Sequence, residues 1–146
     1  MFKSITPFLI IVVLVMMVPR VIGLIRGPAE TPGIFDQQYT LTQANEIAQE
    51  SGKPMLVLVT ADWCGPCQTL KRSAMVDPAV VAWASAHTVP VYLEHGANPD
   101  EISSLPVSAF PTTFLIQDGK VLASLQGAVG AKSLVDQFDA VLAQRP

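Results

Sequence analysis

Cysteine is scarce in this chain, with two in 146 residues, and a chain of that length buries a core without disulfide staples. A disulfide-dense scaffold is therefore excluded. Histidine is equally scarce: His87 and His95 lack the paired spacing of a metal clip. Zinc needs about four ligands, and without that spacing the two histidines do not complete a site with the two cysteines, so no metal is expected. Charged residues make up 14% against a usual share of about 25%. No basic stripe or arginine-rich run exists. Beyond Arg26 six basic residues face all twelve acidic ones, a net −6. That balance excludes a nucleic-acid binder and a domain docked electrostatically on anionic lipid. Internal repeats and low-complexity tracts are absent as well.

What is present at the start is an apolar stretch over residues 5–25, of the roughly 20-residue length that crosses a bilayer as a helix. Pro19-Arg20 interrupts it, and its unbroken core, residues 8–18, also has the length of a signal-peptide h-region. No convincing small-x-small cleavage site follows. Residues 1–26 are thus expected to form an uncleaved signal anchor and transmembrane helix, with a cleaved signal peptide as the alternative. Counting Lys3 against Arg20 and Arg26 does not orient it. An export signal before a small domain favours a domain outside the cytoplasm. Residues 27–38, with Pro28, Pro32 and Gly33, read as a linker to a domain over residues 39–146.

The domain reads as alternating elements. Thr42 is an expected N-cap for a helix ending at Gly52. Residues 55–59, Met-Leu-Val-Leu-Val, are a continuous apolar run, the mark of a strand buried on both faces. Asp77-Pro78 and Asn98-Pro99 each pair a cap with a proline at the first helical position. A strand over 89–93 lies between these helices. Residues 112–116 and 121–125 form a hairpin about Asp118-Gly119, and residues 131–142 carry an amphipathic helical pattern.

Between the first strand and the next helix stands Trp63-Cys64-Gly65-Pro66-Cys67. A cysteine opening a helix lies near unpaired backbone N–H groups and the positive end of the dipole, which favour thiolate over thiol. Cys67, one turn on, can resolve a mixed disulfide. Pro66 is tolerated in the first turn and stiffens the loop between the sulfurs. The pair follows the C-terminal end of a central strand, where α/β folds place their sites.

Residues 39–142 resemble the thioredoxin superfamily. Ala61-Asp62-Trp63-Cys64-Gly65-Pro66-Cys67 after a buried strand, Phe110-Pro111-Thr112 before a hairpin, Gly127 after it and the terminal helix carry the likeness. Lys53-Pro54 and Asp77-Pro78-Ala79-Val80 are also similar to the thioredoxin-like domains of membrane-linked periplasmic disulfide reductases. The resemblance implies an α/β thioredoxin-like fold, a central mixed sheet flanked by helices, here expected behind one N-terminal transmembrane helix. It implies a thiol–disulfide oxidoreductase, with Cys64 as nucleophile and Cys67 as resolving thiol. No cofactor is implied beyond the Cys64–Cys67 disulfide. Trp63, Gly65, Pro66, Phe110, Pro111 and Thr112 would meet the substrate, with Pro111 cis and the backbone of Phe110 free to pair with an extended peptide.

Gly-Pro between the cysteines resembles the reducing members. Disulfide reduction or isomerisation on extracytoplasmic proteins is expected, fed by a membrane electron donor, in a single-pass protein of a bacterial inner membrane with its domain facing the periplasm. The alternatives are a dedicated reductant for cytochrome c maturation and a tethered client-binding module whose redox chemistry is incidental. The chain departs from the family in one respect. The buried acid usual in the strand before the motif aligns with Leu58, and a lysine common on the neighbouring strand is absent, with Val91 near its place. Asp62, Glu94 or water is expected to assist Cys67 instead. His87 and His95 read as surface histidines, and Glu46, Glu50, Asp136 and Asp139 as solvated helix faces.

Overall fold

The computed structural model describes residues 5–25 and 27–144. The chain forms α1 (Ile5–Ile25), α2 (Leu41–Ser51), β1 (Met55–Thr60), α3 (Gly65–Arg72), α4 (Pro78–His87), β2 (Val89–Glu94), α5 (Pro99–Ser103), β3 (Thr112–Gln117), β4 (Lys120–Gln126) and α6 (Ala131–Leu142). The strands lie in the order β2-β1-β3-β4. β1 pairs parallel with β2 and antiparallel with β3, and β3 pairs antiparallel with β4, which makes the expected mixed sheet.

β1 is central and buried along its whole length, which explains its unbroken apolar run. Its side chains alternate between two cores. Leu56 and Leu58 join Leu115, Leu70, Met75, Leu134 and Phe138 beneath α3, α4 and α6. Met55, Val57 and Val59 join Val91, Leu93, Phe114 and Ile116 on the side of α2. Each fully buried large side chain contributes about 1.5–3 kcal/mol, so the sheet is held from both faces.

Local chemistry sets the element ends. Asp77 accepts from the Ala79 N–H at 2.9 Å with Pro78 opening α4. Asp118 and Gly119, at φ 51° and 72°, form the β3–β4 turn, a left-handed pair that Gly tolerates freely. α2 begins earlier than expected. Thr40 Oγ1 accepts from the Gln43 N–H at 3.2 Å while Gln43 Oε1 accepts from the Thr40 N–H at 3.1 Å. This reciprocal capping box satisfies two donors, which Thr42, already inside the helix, cannot do.

Two features lie ahead of the domain. Among the described residues no helix is long and apolar enough to cross a membrane, which overturns the expected transmembrane helix. The physical reason lies in the sequence of α1: its unbroken apolar core, residues 8–18, spans about 16 Å at 1.5 Å per residue, roughly half of a bilayer's hydrocarbon core, before Pro19-Arg20. The ends of the expected anchor, residues 1–4 and 26, lie outside the described residues, as do residues 145–146 at the end of the domain. Residues 27–38, expected as a linker, lie against the domain: Phe35 is buried in the core beneath α4, and the Arg72 guanidinium donates to the Gly27 carbonyl at 2.7 Å.

Candidate active site

β1 ends at Thr60, and after three intervening residues the chain turns into α3 with Cys64 as its N-cap, in an extended backbone conformation. Cys64 Sγ accepts a hydrogen bond from the Cys67 N–H at 3.2 Å. This N–H is one of the orphan donors of the helix start, so a thiolate at Cys64 meets both a hydrogen bond and the dipole. Cys64 and Cys67 form a disulfide, with S–S 2.19 Å and Cα–Cα 5.2 Å. Cys64 is 6% exposed and Cys67 fully buried, so the two sulfurs differ in access to a partner.

Around them the structure gathers residues distant in sequence. Phe110 packs against the buried cluster formed by Ala61, Cys64 and Cys67. The Phe110–Pro111 peptide bond is cis. The Pro111 carbonyl accepts from the Gly127 N–H at 2.8 Å, and the Thr112 hydroxyl donates to the Ala109 carbonyl at 2.7 Å, which fix this loop from both sides. Trp63 is 72% exposed and stands edge-on to Phe110 at 5.8 Å. All the expected site residues, Trp63, Cys64, Gly65, Pro66, Cys67, Phe110, Pro111 and Thr112, thus lie in one strand-to-helix turn and the loop facing it. Among the described residues no group of three or more metal-ligating side chains converges.

The model of the thioredoxin-like domain family matches residues 41–143, most of the chain. This chain belongs to the thioredoxin superfamily of thiol–disulfide oxidoreductases. It is 34% identical over 107 residues to a thioredoxin of Alicyclobacillus acidocaldarius, covering 70% of this chain and 96% of that one. It is 28% identical over 103 residues to the chloroplastic thioredoxin Y2 of Arabidopsis thaliana, covering 70% of this chain but only 60% of that relative's length. Among solved structures, a DsbH oxidoreductase superposes with a TM-score of 0.67 at 20% identity over 82% of this chain and 89% of that one, a likeness of fold. Thioredoxin-like proteins work through a redox-active disulfide and act on protein disulfides.

Three residues of this thioredoxin-like site escaped the sequence reading. His95 is exposed, as expected, but its ring also stands edge-on to both Phe110 at 5.4 Å and Trp63 at 6.2 Å, a contact the sequence did not announce. Tyr92, not Val91, is the register partner of Leu58; Val91 belongs to the core on the opposite face. Lys71 is the third. It is 2% exposed on α3, its Nζ donates to the Tyr92 hydroxyl at 3.2 Å, and it lies 3.6 Å from Asp62 Oδ1. The available signal was its spacing: Cys67, Leu70, Lys71 and Ala74 follow the 3- and 4-residue steps of one helix face. Glu94 is occupied otherwise. Its carboxylate accepts from the Asp62, Gly96 and Ala97 N–H groups at 3.2, 2.6 and 3.0 Å.

Proposed function

We propose that this protein reduces or isomerises disulfides of protein clients by thiol–disulfide exchange at Cys64 and Cys67. The observation that carries the reading is the inequality of the sulfurs: Cys64, 6% exposed at a helix start, accepts a backbone N–H, whereas Cys67 is fully buried. In this reading the Cys64 thiolate attacks one sulfur of the client disulfide and expels the other as thiolate. Cys67 then attacks Cys64 of the mixed disulfide. The Cys64–Cys67 bond forms, the client leaves with two thiols, and two electrons have passed to it. A dithiol donor restores the reduced pair.

Trp63, Gly65, Pro66, Phe110, Pro111 and Thr112 form the client-facing surface in this proposal. The exposed face of Trp63 and the Phe110 backbone favour an extended segment laid across the loop. An extracytoplasmic setting with a membrane electron donor belongs to the same proposal. It is supported by the apolar run of residues 8–18, whose length fits an export signal.

A Cys67→Ser variant tests the exchange. It is expected to stop at the mixed disulfide and carry a thiol-releasable client on Cys64, which Cys64→Ser does not. No captured client where the wild type is active would sink the mechanism.

A further inference from the structure

An ammonium in a protein interior is costly unless it is paired, and Lys71 is an interior ammonium on the helix that Cys64 caps and that carries Cys67. Its two partners are modest: the Tyr92 hydroxyl, which accepts its hydrogen bond, and a carboxylate of Asp62 that is itself 55% exposed at 3.6 Å. Lys71 follows Cys67 by four residues, and both are buried on the inward face of α3. Residues at that spacing have Cβ atoms about 5–6 Å apart, and helical side chains lean toward the N-terminus, here toward Cys67. The sheet beneath supplies no acid. Leu58 is apolar, and opposite it stands Thr113, whose buried hydroxyl, like that of Thr60, has no hydrogen-bond partner.

We propose that Lys71 is a positioning residue for the resolving step, its buried positive charge holding Cys67 as a thiolate where the family's acid is missing. The inference rests on the exchange reading of Cys64 and Cys67. Cys67 loses its proton to water, and Lys71 keeps its own. The Cys67 thiolate attacks Cys64 Sγ, the Cys64–Cys67 bond forms and the bond from Cys64 to the client breaks. The client sulfur departs with the electron pair and takes a proton from water. Asp62 and Tyr92 hold the ammonium in place. Glu94 and His95, the other titratable groups at this end of the sheet, are engaged with backbone N–H groups and with the rings of Trp63 and Phe110.

The test is the titration of Cys67 in the full chain carrying Cys64→Ala, read by ultraviolet absorbance of the thiolate, with Lys71 intact or replaced by Arg, Met or Gln. With Lys71→Met the fraction of thiolate at pH 7 is expected to fall roughly tenfold, a shift of about one pH unit. Lys71→Arg is expected to stay near the parent. Lys71→Gln retains a donor for Tyr92 and loses only the charge. The proposal requires it to behave as Met does, and a purely structural lysine requires it to behave as Arg does. In chains that keep Cys64, resolution of a preformed mixed disulfide at pH 7 is expected to slow about threefold, because a more basic thiolate is also the better nucleophile. An unmoved titration in the folded Met or Gln variant overturns the proposal. This titration needs no client, so failure to trap one removes the exchange reading without touching this result.

Discussion

The two faces of the sheet are built from the same strands and do opposite jobs. On the α2 side β1, β2 and β3 present Val57, Val59, Val91, Leu93, Phe114 and Ile116, an apolar layer with no charge to place. On the α3 side the same strands present Leu58, Tyr92 and Thr113, and α3 adds Cys67 and Lys71. One face is spent on stability. The other keeps its polar groups beneath the redox pair, where low dielectric strengthens any charge that is held there. A lysine held among the aliphatic side chains of the α2 side would have no partner and would be only a cost.

That contrast can be broken in several ways. The largest effect expected is chemical and confined to the α3 side: Cys67→Ser abolishes turnover in an insulin-type disulfide reduction assay while leaving the thermal transition of the protein nearly in place. Next come paired acid substitutions read by denaturant unfolding. Val57→Asp buries an unpaired carboxylate among aliphatic side chains and is expected to prevent folding. Leu58→Asp lies on the face that holds the Lys71 ammonium. It is expected to fold with a loss of about 1–3 kcal/mol and to change the pH dependence of resolution. Equal damage from the two would erase the distinction between the faces.

Phe114→Ala, within the apolar layer, is expected to cost about 3–5 kcal/mol with exchange per folded molecule unchanged, as stopped-flow kinetics on the folded fraction would show. The smallest effect is Thr113→Val. Removing a buried hydroxyl that has no partner is expected to be neutral or to stabilise by about 1 kcal/mol, measured as a shift in the denaturation midpoint. Clear destabilisation there would mean that the hydroxyl serves the site.

Much of the fold was legible in order along the chain because its signals are local. The apolar run of β1, the Asp77 cap, the Asp118-Gly119 turn and the cysteine motif each depend on a few adjacent residues. Where competing local signals existed the reading slipped by a turn fragment, as at Thr40 and Thr42, since a reciprocal box outranks a single cap. Composition misled at residues 27–38: proline and glycine there suggested a free linker, but Phe35 finds the core and Gly27 finds Arg72. At α1 total length suggested a membrane span, whereas its unbroken apolar core is only half that reach.

The chemistry of Cys64 follows from its own neighbours, because an N-cap, its first-turn donors and Pro66 are all within a few positions. The surroundings of Cys67 do not. The register of β1 with β2 put Tyr92 rather than Val91 beside Leu58, and the rotation of α3 turned Lys71 inward to meet it. Strand register and helix rotation arise from packing summed over the whole core, and no short stretch of residues contains that sum.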